Sequence, residues 1–216
     1  DFCKGMIKRG YNQKVTFSCN MRFGALSAKD YELMAKAGFR FLLYGLESAN
    51  QRTLDQLNKG TNVSQVEKEL ELIKSVNEKS DGSLEPHITC MVGYPWESKR
   101  EAKTTIETVK SYFKKGLIST LQATIVIPYP GTTLFKQCRE KNDLETTDWD
   151  RYDMSSPVMK TAINKEELRH LTRGLYTSVV TPEVVFKKVF SIRRIEDFSY
   201  LFRAGVKWLG HFFDFS

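Results

Sequence analysis

Glu47 is a carboxylate that directly follows an apolar run, in the segment FRFLLYGLESANQRTLDQLNKGT at 39–61. A carboxylate in this position can accept hydrogen bonds from hydroxyl groups or pair with a cation. It can also interact with the positive end of a following helix, which is worth about 0.3–1 kcal/mol. The residue types alone leave a ligand contact and a helix charge both open for Glu47.

Polar, glycine and proline residues follow three other apolar runs in the same way. These groups are Asn20 and Arg22 after 14–19, 93–97 after 87–92, and 128–132 after 121–127. Each has a structural alternative, because Glu97 can be a helix charge, Pro128 a strand terminator and Arg22 a surface cation. Their shared position after a strand favours a function for the group as a whole.

The elements that must position these residues alternate between short apolar strands and amphipathic helices. Strands are predicted at 14–19, 39–45, 87–95 and 121–132, and helices at 27–38, 50–58, 64–79 and 98–116. This alternation is typical of βαβ units with a parallel sheet, so the polar residues should meet at the C-terminal ends of the strands. Four units predict an α/β protein, as an open sheet or part of a barrel.

Three serine–acid pairs predict where helices begin. They are Ser27 with Asp30, Ser64 with Glu67, and Ser98 with Glu101, each spaced as a capping box.

The pattern changes near residue 141, and we predict two parts, an α/β part at 1–140 and a mostly helical C-terminal extension at 141–216. Residues 141–163 are polar and turn-rich without a clear strand, and a helix is predicted at 164–180. The stretch 184–215 mixes aromatic and basic residues. A terminal helix that packs on the barrel is the favoured interpretation, and peripheral membrane contact is the alternative.

Composition excludes several classes of protein. With 216 residues and 41% hydrophobic residues, the chain can bury a core, but no run is long enough to span a membrane. The net charge of +7 is scattered and no nucleic-acid motif accompanies it. The four cysteines, Cys3, Cys19, Cys90 and Cys138, are too far apart for a CxxC motif, which predicts free thiols, no metal ligands and a cytoplasmic location.

Nucleotide and catalytic motifs of common types are absent as well. The sequence has no P-loop and no GxGxxG fingerprint, and its three histidines do not form a recognisable catalytic set. We therefore assign no catalytic residue.

Four segments together resemble the radical S-adenosylmethionine (SAM) superfamily, in particular the branch with an upstream cobalamin-binding domain. YGLESANQRTLDQLNKG (44–60) resembles its fourth strand, MVGYPWES (91–98) its GxPxES/T motif, VIPYPGTTLF (126–135) its PxPGT motif, and FSCNMRF (17–23) its third strand. The order and spacing agree over residues 1–140.

The resemblance implies a partial (β/α)6 barrel, truncated at its N-terminal side. It also implies an enzyme in which a [4Fe-4S] cluster reduces SAM to start radical chemistry, with cobalamin-dependent methyl transfer as a possible outcome. Such an enzyme needs an electron donor and a small-molecule or lipid-like substrate. The cofactors supply the chemistry and the protein orients and shields them.

The resemblance also implies SAM contacts for seven residues. Glu47, with Ser48 behind it, matches the residue that contacts the ribose, and Arg22 or Lys59 would hold the SAM carboxylate. Gly93 would let the backbone approach the ligand, while Ile127 and Pro128 would flank the adenine.

One part of the family pattern is missing, because the sequence contains no CxxxCxxC cluster motif. The chain begins with Asp1, and its first strand matches the third strand of the family. We expect a fragment whose cluster ligands lie upstream and which is inactive alone. The alternative is a degenerate, non-catalytic α/β nucleotide-binding domain.

Overall fold

A four-stranded parallel sheet forms the centre of the protein, in a computed structural model that describes residues 1–80 and 84–179. The strand order is β1-β2-β3-β4, and every neighbouring pair is parallel. The strands are β1 (Phe17–Met21), β2 (Phe39–Glu47), β3 (Glu85–Val92) and β4 (Thr120–Ile125). Their C-terminal ends therefore lie together, and we call this side the C-terminal edge.

Helices connect the strands, as parallel pairing requires. The connecting helices are α2 (Ala28–Lys36), α3 (Gln51–Gln56), α4 (Val63–Lys79) and α5 (Lys99–Lys114), while α1 (Phe2–Lys8) precedes β1, and α6 (Thr133–Glu140) and α7 (Lys165–Val179) follow β4. The predicted α/β class is confirmed. Helix α6 was not predicted, although Thr132 caps it by accepting a hydrogen bond from the backbone N–H of Phe135.

The core lies between one face of the sheet and the crossover helices. Alternate residues of β2 and β3 are buried, and so is one apolar stripe on each of α4 and α5. The buried sets are Leu42, Tyr44 and Leu46; Ile88, Cys90 and Val92; Val66, Leu70 and Ile73; and Ala102, Ile106 and Val109. Burial alternates with period 2 along β2 and β3, and each of the two helices buries one stripe of its surface.

Helix starts follow the predicted capping boxes in two cases of three. Both reciprocal hydrogen bonds form at Ser27 with Asp30 and at Ser98 with Glu101. The prediction at Ser64 is wrong, because Asn62 caps α4 and its Oδ1 accepts a hydrogen bond from the N–H of Ser64 at 3.0 Å. Asparagine is as good an N-cap as serine, so the helix begins earlier.

By its internal contacts the chain forms two compact units, Asp1–Thr172 and Arg173–Ser216. In the first unit, an isolated antiparallel bridge joins Leu144 and Met159 within the turn-rich region. The predicted domain boundary at residue 140 stays a prediction. The membrane contact suggested for 184–215 falls outside the described residues, and no helix in the described part is long and apolar enough to cross a membrane.

Candidate functional site

Glu47 ends β2 in an unusual backbone conformation. The register between β2 and β3 shifts at this point, since Gly45 pairs with Thr89 and Glu47 with Cys90, so one extra residue bulges out. Glu47 itself has a φ of 64°, in the left-handed region that few residues other than glycine adopt. Such strain costs about 1–3 kcal/mol and clusters at functional sites, where bulges re-aim a side chain.

The carboxylate of Glu47 has one satisfied oxygen and one unsatisfied oxygen. Lys59 Nζ donates to Oε1 at 2.7 Å, while Oε2 is buried and has no hydrogen-bond partner in the described part of the chain. Both side chains lie close to Gly45, where an added Cβ would meet Glu47 Oε1 and Lys59 Nζ. The helix-charge interpretation of Glu47 is not supported, since α3 begins only at Gln51 and the charge is paired with Lys59.

Arg22 reaches the same place from the loop after β1. One terminal nitrogen, Nη2, donates to the carbonyl oxygen of Lys59 at 2.7 Å. The guanidinium lies against Gly60, which has a φ of 65° and where a Cβ would be 2.5 Å from that nitrogen. The structure thus brings Arg22, Lys59 and Glu47 together.

Ser48 supports this arrangement from behind. Its side chain is fully buried, and its Oγ lies 3.3 Å from Thr105 Oγ1 of α5. The same oxygen accepts a hydrogen bond from the N–H of Asn50 at 3.1 Å. Ser48 therefore fixes the turn between β2 and α3.

Gly93 follows β3 with a φ of 90° and makes two close approaches. Its N–H donates to Glu97 Oε2 at 2.7 Å, and a Cβ would lie 3.1 Å from Leu168 Cδ1. Glu97 is fully buried, and its Oε1 has no partner among the described residues. Burial raises the pKa of Glu97 to about 7, although backbone hydrogen bonds at Gly93 and Tyr94 act in the opposite direction.

Ile127 and Pro128 are buried just after β4. Ile127 belongs to a small apolar cluster with Tyr152 and Val158. Tyr129 covers this cluster by donating from its hydroxyl to the carbonyl oxygen of Tyr152 at 3.1 Å. These residues form an apolar cluster after β4, whereas Glu47, Lys59 and Arg22 form a charged group.

Cys90 is a fully buried thiol of β3 that lies opposite Glu47 in the register of β2 and β3. Burial, together with the nearby carboxylates of Glu47 and Glu97, raises the pKa of its thiol to about 12. All four cysteines are free, as predicted, and Cys90 and Cys138 are buried whereas Cys3 and Cys19 are partly exposed. No three potential metal ligands come together within 1–80 and 84–179, so these residues do not fit an iron–sulfur cluster.

Sequence reasoning missed Glu69, a buried carboxylate of α4 that contacts the loop after β1. Its Oε2 accepts a hydrogen bond from the N–H of Gly24 at 2.6 Å. A signal was present, because Glu69 falls in the apolar stripe formed by Val66, Leu70 and Ile73. A charged residue inside a buried stripe indicates a specific partner.

Comparison with known proteins finds relatives by sequence, although no protein-family model matches the chain. A protein of Pyrococcus horikoshii named as an uncharacterized methyltransferase is 29% identical over 178 residues. The anaerobic magnesium-protoporphyrin IX monomethyl ester cyclase of Cereibacter sphaeroides is 28% identical, and the bacteriochlorophyllide d C-8(2)-methyltransferase of Chlorobaculum tepidum is 27% identical. These matches cover 82%, 81% and 75% of this chain, but only 37%, 26% and 35% of the relatives.

Solved structures show the same fold. Coproporphyrinogen III oxidase (HemN) from Escherichia coli, named as a radical SAM enzyme, matches with a TM-score of 0.56 and 14% identity over 82% of this chain and 36% of its own. The radical SAM methyltransferase TsrM from Kitasatospora setae, solved with cobalamin and a [4Fe-4S] cluster, matches with a TM-score of 0.50 and 13% identity over 64% of this chain and 25% of its own. The predicted partial-barrel fold is confirmed. In fold the chain is similar to these two radical SAM enzymes, and in sequence it is similar to the named methyltransferases and cyclase.

Proposed function

We propose that this chain forms the SAM-binding part of a radical SAM enzyme. Such an enzyme starts radical chemistry by reductive cleavage of SAM. The observation that carries the proposal is the Oε2 of Glu47, which is buried, has no hydrogen-bond partner among the described residues, and is held by a strained bulge at the C-terminal edge. A buried carboxylate oxygen without a donor costs about 1–3 kcal/mol, so a ligand that donates to it gains that interaction. The ribose hydroxyls of SAM are donors of the required kind.

The remaining contacts follow from the chemistry of the neighbouring groups. In this proposal Lys59 holds the Glu47 carboxylate in place, because its ammonium group already contacts Oε1. Arg22 takes the carboxylate of SAM, since a guanidinium has five N–H donors and prefers planar anions. Ile127 and Pro128 supply an apolar surface for the adenine.

The [4Fe-4S] cluster belongs, in this proposal, to residues upstream of Asp1. The described residues do not fit it, so no step through the cluster is assigned to them. The chain spans about a third of the length of its relatives, which leaves room for a cluster loop and a cobalamin domain in a longer protein. Methyl transfer is proposed by analogy with relatives named as methyltransferases, and TsrM, solved with cobalamin, suggests that cofactor.

The substrate, the electron donor, the cellular location and the membrane contact are further proposals. We propose a cytoplasmic enzyme with a small-molecule or lipid-like substrate. Two relatives are named for tetrapyrrole substrates, so a tetrapyrrole is the first substrate to assay.

A second candidate function is a nucleotide-binding domain that never carries a cluster. The lack of a cluster-ligand set among the described residues favours it. Sequencing the coding region upstream of Asp1 separates the two, because a CxxxCxxC motif there supports the enzyme and its absence overturns catalysis.

Isothermal titration with S-adenosylhomocysteine tests the SAM site, and the critical variant is Glu47→Gln. Replacing a charged acceptor by an amide should weaken binding about tenfold or more, since hydrogen bonds to charged groups are worth about 1.5–3 kcal/mol. Glu85→Gln is the matched control. Glu85 is also a partly buried carboxylate paired with a cation, Arg40 at 3.0 Å, but it lies at the opposite end of the strands.

Equal weakening by both variants would contradict the site, and so would a wild-type protein that binds another nucleotide but not S-adenosylhomocysteine.

A further inference from the structure

Glu69 lies in the helix layer behind the sheet, outside the proposed SAM site, and yet it holds the loop after β1. Its Oε2 accepts a hydrogen bond from the N–H of Gly24 at 2.6 Å, and its Oε1 accepts one from the hydroxyl of Tyr31. Residues 24 and 69 are far apart in sequence, so this contact ties α4 to the loop across the fold. Both carboxylate oxygens of Glu69 are therefore used.

The hydrogen bonds around Glu69 have a defined direction. The Tyr31 hydroxyl donates its single proton to Glu69 Oε1. Tyr44, whose hydroxyl lies 2.8 Å from that of Tyr31, must then donate to it. Burial raises the pKa of both tyrosines well above the usual range, which keeps both protons in place.

The same network holds the residue before Gly24. The ring of Phe23 stacks on the ring of Tyr44, with centroids 4.5 Å apart and an interplanar angle of 26°. Phe23 and Gly24 are therefore both anchored, one by its ring and one by its backbone N–H. Arg22 directly precedes them, so its backbone position is fixed by these two contacts.

Arg22 links the loop after β1 to the residues of the proposed SAM site. Its guanidinium donates to the carbonyl oxygen of Lys59, and the ammonium group of Lys59 donates to Glu47. We propose that Glu69 is a positioning residue for the site, setting the place of Arg22 and, through Lys59, of Glu47. The SAM-binding part of this inference rests on the proposed function, whereas the coupling of Glu69 to 57–61 does not.

The test compares Glu69→Met with Tyr31→Phe in two measurements on the whole chain. Methionine keeps the size of the side chain but cannot hold Gly24, whereas Tyr31→Phe removes the other hydrogen bond of the same carboxylate and leaves Gly24 held. Amide hydrogen exchange at Gly24 and over 57–61 should rise about fivefold or more in Glu69→Met only. The dissociation constant for S-adenosylhomocysteine should rise about tenfold in the same variant and less than about twofold in Tyr31→Phe.

In Glu69→Gln, the amide exchange rates and the dissociation constant should both stay within about twofold of the wild type. The reason is that an amide can accept a hydrogen bond from Gly24 and donate one to Tyr31. If Glu69→Met does not fold, Phe23→Leu removes the ring stack from the same loop and is expected to raise both values as well. Equal effects of Glu69→Met and Tyr31→Phe, or unchanged exchange over 57–61, overturn the positioning role. A wild-type protein that binds no S-adenosylhomocysteine overturns the proposed function, and the exchange comparison alone then decides whether Glu69 positions this loop.

Discussion

Glu47 after β2 and Glu97 after β3 are two carboxylates at the C-terminal edge. They differ in the group that stabilises the buried carboxylate. Each has one bonded oxygen and one buried oxygen without a partner in the described residues. Glu47 is bonded to the ammonium of Lys59, whereas Glu97 is bonded to the backbone N–H of Gly93 and has no ion pair within the described ranges. Glu47 thus keeps a compensated charge, and Glu97 does not.

Because of this difference, only one of the two carboxylates is suited to a polar ligand. A compensated carboxylate remains an acceptor without a large cost, so Glu47 can receive a hydroxyl from a ligand. Burial raises the pKa of Glu97 to about 7, and Arg52 opposes this only weakly. Glu97 therefore serves the loop by holding Gly93, and its charge state changes near neutral pH.

The largest expected effect concerns the pH dependence of stability. The folded-state pKa of Glu97, about 7, lies above the ordinary value of 4.5, so the native state holds a proton that the unfolded state releases. The protonated Glu97 therefore contributes to the free energy of unfolding fully below pH 4.5, and this contribution is lost as the pH rises through about 7. The free energy of unfolding should change by about 3 kcal/mol across this window. Urea unfolding across this window should show the loss in the wild type and not in Glu97→Gln.

Glu107→Gln, an exposed change on α5, is the control and should keep the wild-type slope. If the free energy of unfolding of Glu97→Gln falls with pH as steeply as that of the wild type, Glu97 is charged throughout this pH range. The contrast with Glu47 would then disappear.

The next effect is the loss of the cation beside Glu47. Lys59→Met leaves a largely buried carboxylate without its ion pair and should lower the free energy of unfolding by about 2 kcal/mol. Lys115→Met removes a more exposed pair with Glu67 and should cost less than about 1 kcal/mol. Equal losses in the two variants, measured by urea unfolding, would mean that the Glu47 pair behaves as an ordinary surface pair.

The smallest expected effect on stability concerns the close approach of Gly93 to Leu168. Alanine at Gly93 or at Gly131 must adopt a positive φ, which costs about 1–2 kcal/mol at either position. Only at Gly93 does the added methyl group meet Leu168, since nothing lies within 4 Å at Gly131. Gly93→Ala should therefore be less stable than Gly131→Ala by about 1 kcal/mol. Equal thermal midpoints would indicate that Leu168 moves aside freely.

The sequence predicted the alternation of strands and helices because apolar periodicity is local. It also placed Glu47 at a strand end, since the apolar run stops there. The bulge at Leu46 and the left-handed Glu47 could not be predicted, because they depend on the register with β3. The ion pair with Lys59 and the bond from Glu97 to Gly93 depend on contacts through space, and a helix charge fitted Glu97 equally well until its burial was known.

The most direct test of the SAM site is a crystal structure of the protein with S-adenosylhomocysteine. We expect a ribose hydroxyl about 2.5–3.0 Å from Glu47 Oε2, with Lys59 still bonded to Oε1. A ligand whose ribose lies elsewhere, with Glu47 Oε2 still lacking a donor, would contradict it.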